Sequence, residues 1–145
     1  MRRSNYTISA GGAAKILCND VPLWLFQPMP ITNPTELHAA FAEAFNSGDI
    51  ERVLAFYEPQ ATVVAPPALA VSGHAAIREV LRGFLGLKGR MEMTTVYCHT
   101  SGDLALLRAR WRIEGAGLEG QSAEIARRLP DGRWLYAVDH PFGAA

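Results

Sequence analysis

The stretch Asn33–Pro67, NPTELHAAFAEAFNSGDIERVLAFYEPQATVVAPP, reads as helix, tight turn, helix and strand with no spare residue between them. Asn33 suits a helix N-cap and Pro34 the first helical position, where no amide donor is required. Glu36 stands where a capping-box carboxylate reaches back. Leu37, Ala40, Phe41, Ala44 and Phe45 recur at helical spacing and predict one buried face. Asn46-Ser47-Gly48 stops that helix, and Asp49 caps a second whose apolar stripe is Ile50, Val53, Leu54 and Tyr57. Pro59 ends it. Ala61–Ala65 is short and rich in β-branched residues, a strand that Pro66-Pro67 bars from continuing in a central ladder.

Further along, Val71-Ser72-Gly73 predicts a turn, and Ser72 or Gly73 opens a third helix through about Leu87. Ile77, Leu81, Phe84 and Leu85 give that helix its buried face, while Gly83 weakens it by about 1 kcal/mol relative to alanine. His74 reads as a solvated first-turn residue, with a ligand role as the alternative. From Arg90 the apolar period changes to two. Met91–Thr100, Leu104–Ile113, Gln121–Leu129 and Arg133–His140 read as strands, separated by Ser101-Gly102-Asp103, a glycine-rich loop and Pro130-Asp131-Gly132. That is an antiparallel meander. Leu107, Ala109, Trp111 and Ile113 alternate with Arg108, Arg110 and Arg112, so an apolar face meets the helices and a guanidinium face looks away. The arginines can be solvated and paired across strands, for instance with Glu124, or form a subunit interface, or recognise an anion.

Composition narrows the function classes. At 145 residues the chain fits a single core. With 49% hydrophobic and 19% charged residues it is not a disordered composition, and no run approaches the ~20 apolar residues of a membrane-spanning helix. Lys plus Arg and Asp plus Glu number 14 each, so there is no long-range field to gather nucleic acid. Cys18 and Cys98 suggest two reduced thiols in a cytoplasmic protein. The histidines, His38, His74, His99 and His140, have no metal-ligand spacing, and neither a metal nor a cofactor is expected.

Residues 1–31 are the least legible. Arg2 and Arg3 precede an apolar stretch, but Lys15, Asn19, Asp20, Pro22 and Pro28 break it, so an export signal is not expected. The sequon Asn5-Tyr6-Thr7 then has no use. The stretch is expected to be an extension outside the common fold, with Met29 as an alternative start. Its apolar run VPLWLF (21–26) is expected to pack along the domain or a partner subunit.

The order of elements resembles a known family. The helix before NSGDIERVLAFYEPQATVVAP, then VSGHAAIREVLRGFL, the meander and the closing DGRWLYAVDHPFG are similar to the SnoaL-like branch of the nuclear-transport-factor-2-like superfamily, which includes ketosteroid isomerase. The resemblance covers roughly residues 32–143 and sets the expected domain at 32–145. It implies an α+β fold, three N-terminal helices packed on a curved, mostly antiparallel sheet, forming a cone whose open end is a pocket. It leaves activity open, since one scaffold hosts unrelated chemistries.

Pocket residues follow from the patterns. Phe41, Phe45, Phe56 and Tyr57 are expected from the helices, and Val63 and Ala65 from the first strand. Leu107, Ala109, Trp111 and Ile125 are expected from the meander, each with simple core packing as the alternative. By alignment with ketosteroid isomerase the catalytic base falls on Ala65, the tyrosine donor on Phe41 and the second acid on Ile125. None of those groups is present, so isomerisation of a ketosteroid is not expected. An epoxide-hydrolase set of arginine and two acids is not evident either. Gly115-Ala116-Gly117-Leu118-Glu119-Gly120 spells a dinucleotide fingerprint, but a strand pattern rather than a helix follows it.

Asp139 remains. Leu135, Ala137 and Asp139 share one side of the last strand, and register with the family turns that side to the cavity. There a carboxyl would be desolvated and suited to general acid or base work. The alternative is an aspartate held by backbone or by Arg127 or Arg128. Tyr57 is the second polar candidate, as a hydroxyl donor, with core packing as its alternative. His140 points the opposite way in a regular strand. The expectation is a small apolar ligand, acid-base chemistry through Asp139 and a homodimer. The competing expectation is a non-catalytic dimerisation or interaction module.

Overall fold

Asn33 opens the first helical segment: its side chain accepts from Thr35 N at 3.1 Å, and Pro34–Glu36 forms one 3-10 turn. Helix α1, Leu37–Asn46, follows without a side-chain cap from Glu36. Gly48 turns the chain with φ +75°, a conformation that suits a residue without Cβ. Asp49 then caps α2, Ile50–Leu54, by accepting from Glu51 N at 3.0 Å. The computed structural model describes residues 29–144. Cys18, the sequon and the VPLWLF run lie outside the described residues.

Strand β1 is Tyr57–Ala65, which corrects two expectations. The second helix ends before Tyr57, and the strand starts four residues earlier than its β-branched stretch. The reason is long-range pairing: Tyr57 stands opposite Tyr136 in a parallel ladder, and an aromatic there gains more than a further helical turn offers. Pro59, lacking an N–H, falls where that ladder is interrupted between Tyr57 and Thr62. The turn expected at Val71-Ser72 is instead strand β2, Leu69–Ser72, hairpinned on β1 with Thr62 opposite Ser72. Helix α3 is His74–Leu85. His74 is half-buried, its Nε2 bonded to the Tyr57 carbonyl at 2.9 Å, rather than solvated.

The meander comprises β3 (Arg90–Ser101), β4 (Leu104–Glu114), β5 (Leu118–Gln121), β6 (Ala123–Arg128) and β7 (Trp134–His140). Sheet order is β2-β1-β7-β6-β4-β3, with β5 also paired to β4. Among the described strands only β1 and β7 run parallel. The glycine-rich loop is thus half strand: Gly115 and Gly117 turn the chain at φ +87° and +63°, and Leu118–Gln121 pairs back on β4. A strand, β6, follows it where the fingerprint would need a helix. Trp134 N donates to the Ile31 carbonyl at 2.8 Å, which ties the entering chain to β7.

Helices α1 and α3 lie on the concave face of the sheet, where Phe41, Phe45, Ile77 and Leu81 meet Leu107, Trp111 and Ile113. Each such side chain taken from water contributes about 1.5–3 kcal/mol. On β4 the alternation holds throughout: Ala105, Leu107, Ala109, Trp111 and Ile113 are buried, and Arg110 and Arg112 are exposed. Glu124 does not serve the arginines. Arg108 donates to Gln121, and Arg112 pairs with Glu92 at 2.7 Å. No helix among the described residues is long and apolar enough to cross a membrane.

Candidate functional site

The last strand decides what faces the helices. Ile125 pairs with Val138 and Ala126 with Tyr136, so Ala137 is an extra residue on β7. A bulge of this kind resets the in-and-out alternation. Before it Trp134 and Tyr136 turn inward, and after it Asp139 does. Asp139 faces the helices, but Leu135 and Ala137 do not share its side.

On β6 the neighbours of Asp139 alternate as Glu124 in, Ile125 out, Ala126 in. Ile125, expected in the pocket, is 39% exposed on the outer face, and Glu124 is 3% exposed beneath the helices. A one-residue error of register reverses every side chain of a strand. The position where the alignment found no second acid therefore adjoins one that points in.

Glu124 and Asp139 stand directly opposite across β6 and β7. Tyr57 Oη donates to Asp139 Oδ2 at 2.6 Å. Glu124 Oε2 lies 3.1 Å from Nε2 of His38, whose Nδ1 meets Thr95 Oγ1 at 2.8 Å. The carboxylate accepts from Nε2–H of the ring, and Nδ1 faces the Thr95 hydroxyl. Arg127 and Arg128, the alternative partners of Asp139, are engaged by Glu58 at 2.8 Å and Asp103 at 2.7 Å.

Burial, and then the charge of Glu124, push the Asp139 carboxyl up to about 7, against a smaller downward pull from the Tyr57 hydrogen bond. Burial also raises Tyr57 and Tyr136 well above the ordinary phenol range, helped by Asp139 and Glu124 respectively. Both tyrosines are proton donors at neutral pH.

These groups line a cavity of about 50 Å³, measured as the space open to the centre of a water molecule. At ~10–15 Å³ per water it holds a handful of solvent molecules. Phe41 and Phe45 come from α1, Val80, Leu81 and Phe84 from α3, and Tyr57 and Val63 from β1. Met91, Met93 and Trp111 form the wall opposite α3, and Pro141 closes the end beyond Asp139. The Trp111 indole is fixed by donating Nε1–H to the Pro141 carbonyl at 2.7 Å and by edge contact with Phe84. Ser122 is occupied with the backbone of Ala109.

The structure thus brings Asp139, Tyr57, Phe41, Phe45, Val63 and Trp111 together around one space. Phe56, Leu107 and Ala109 do not reach the cavity; they are buried in the core, Phe56 edge-on to Phe41. Ala65 is half-buried at the end of β1, beside Pro66 and Phe84 in a separate shallow depression. The residues that sequence reasoning missed are Glu124, His38 and Tyr136. His38 was within reach, since it precedes Phe41 and Phe45 by helical steps on one face. Among the described residues no cluster of three His, Cys, Asp or Glu is placed to hold a metal.

The family model described as SnoaL-like domain matches residues 38–137. Comparison with curated proteins gave no match. Among solved structures, a protein of unknown function from Shewanella oneidensis MR-1, described as NTF-2-like, shares 18% identity at TM-score 0.63, over 72% of this chain and 92% of its own. A ketosteroid isomerase-like protein from Erwinia carotovora atroseptica SCRI1043 shares 23% at TM-score 0.56, over 72% and 88%. One from Streptomyces avermitilis, provisionally described as a dehydratase of the NTF2-like family, shares 20% at TM-score 0.61, over 74% and 92%. At such identities the likeness speaks for the fold alone. With the nuclear-transport-factor-2-like architecture and a family match over most of its described length, the chain belongs to the SnoaL-like domain family.

Proposed function

We propose that the cavity binds a small, largely apolar molecule and that Asp139 carries a proton to or from it, with residues 32–145 as the working unit. The observation that supports this most is Asp139 itself. The residue is 8% exposed, its carboxyl is held by Tyr57 at 2.6 Å inside an aromatic cavity, and burial raises its pKa to about 7. A group so poised gives and takes a proton at neutral pH with little driving force lost either way. Tyr57 orients the carboxyl and offers a hydrogen bond to charge that develops on it. The chemistry needs no cofactor, and it differs from the ketosteroid isomerase arrangement because Ala65 and Phe41 supply no base or donor.

The experiment is proton exchange. The protein is incubated in D2O with a panel of small apolar ketones, aldehydes and amino ketones, and deuterium entering the carbon beside the carbonyl is followed by NMR. Asp139→Asn is expected to reduce incorporation by about 10²–10⁴-fold. Incorporation equal in wild type and Asp139→Asn would overturn the assignment.

A second reading, association without catalysis, draws on the outer face of the sheet. Leu104, Leu106, Ile125 and Val96 are exposed there, with Leu106 directly opposite Ile125. The partner that fits is a second copy, whose identical patch a two-fold axis brings into register.

A further inference from the structure

We propose that the molecule taken by this cavity is a small organic cation, an amine on an apolar body, with its nitrogen between the carboxylates of Glu124 and Asp139. The proposal rests on the reading of the cavity as a binding site and adds the charge of what binds.

Three observations carry it. The first is unused hydrogen-bonding capacity. Among the described residues Tyr57 takes one oxygen of Asp139 and His38 one of Glu124, while Asp139 Oδ1 and Glu124 Oε1 receive no hydrogen bond. Both residues line the cavity. Tyr136, 2% exposed, also lines it, and its hydroxyl has no partner among the described residues. An ammonium supplies three donors, matching three open acceptors.

The second is the absence of a competing cation: among the described residues no lysine or arginine lines the cavity. The polar groups that share the cavity with Asp139 are Tyr57 from β1, Ser122, Glu124 from β6 and Tyr136 from its own strand. The facing parts of α3, β3 and β4 are Val80, Leu81, Phe84, Met91, Met93 and Trp111, none of them titratable. His38 lies behind Glu124 and answers one carboxylate at most. The third is the wall. Phe41, Phe84 and Trp111 line the same cavity as the acid pair, and aromatic rings attract a cation further. A carboxylate ligand meets like charge, and an alcohol leaves the acid pair without a counter-charge.

Seating the ammonium keeps Asp139 ionised, so binding releases the proton that the empty site holds below neutrality. Affinity therefore rises with pH, by about tenfold between pH 6 and 8 for a carboxyl near 7.

The test uses the full chain and three near-isosteric probes, benzylamine, benzyl alcohol and benzoate, titrated at pH 6, 7 and 8. The Trp111 indole N–H signal in two-dimensional NMR reports occupancy. Benzylamine is expected to bind at least ~10-fold more tightly than benzyl alcohol at pH 8, with the pH trend above, and benzoate is expected not to bind. Glu124→Gln is expected to weaken benzylamine at least ~10-fold and to narrow its preference over benzyl alcohol. Should that variant fold poorly, the wild-type pH series decides by itself. Benzyl alcohol or benzoate binding as well as benzylamine overturns the cationic assignment while sparing the cavity. Binding by none of the three overturns both.

Discussion

Asp139 is a carboxyl whose folded-state pKa, about 7, lies above the ordinary aspartate value of 3.8, the reverse of a salt-bridged aspartate. The folded protein therefore holds a proton that the unfolded chain has lost, and stability falls as pH rises from about 4 through about 7. Above that window the full cost is present. An asparagine in place of the acid keeps an acceptor for Tyr57 and carries no charge. In urea unfolding at pH 8, Asp139→Asn is expected to be more stable than wild type by up to about 4 kcal/mol, and by much less at pH 4.5. Equal stabilities at pH 8 would mean that the carboxyl is solvated. Glu124 is protected differently, because His38 meets it at 3.1 Å and is itself fixed by Thr95. Two acids in one cavity thus have unlike partners, a phenol for one and an imidazole for the other.

Among the strands, β4 was the most legible, since arginine and apolar residues alternate from Leu107 to Ile113. The last strand was not. Nothing in the run WLYAVDH announces that Ala137 is skipped by its neighbour, because the bulge is a property of pairing with β6. On β6 the opposite error arose: Ile125 was the apolar choice, yet the strand turns its glutamate inward because His38 and Asp139 await it there. A buried polar cluster spread over α1, β1, β6 and β7 leaves no local pattern, and intrinsic apolarity misleads where it forms. The glycine-rich segment lacks the helix that a nucleotide site needs, and its real demand is steric. A Cβ at Gly120 would stand 2.7 Å from Trp111 Cζ2 and 2.9 Å from Phe142 Cδ1. Gly120→Ala is expected to cost about 1–3 kcal/mol and to shift the Trp111 indole signal as the ring is pushed toward the cavity. A thermal melt with wild-type Tm would show that the indole gives way freely.

Among the described residues, the helices cover one side of the sheet, and no helix lies on the other. The architecture was legible because capped helices, two-residue periodicity and turn residues agreed with one another along the chain. What no single segment reveals is the outer face, where Leu106 and Ile125 from different strands come side by side. If that face joins two copies, sedimentation velocity will give a dimer that dissociates on dilution, and Leu106→Lys with Ile125→Lys will yield a folded monomer. An unaltered sedimentation coefficient in the double variant would remove the sheet from consideration as the contact.

The parallel pairing of β1 with β7 has one more effect. Tyr57 and Asp139 are 82 positions apart. As the polypeptide leaves the ribosome, β1 has its hairpin mate β2 and helix α3 to pack on, but its other edge stays open until β7 has been made. A polypeptide that stops before Trp134–His140 lacks the strand bearing the acid, so the proposed proton chemistry waits on that strand.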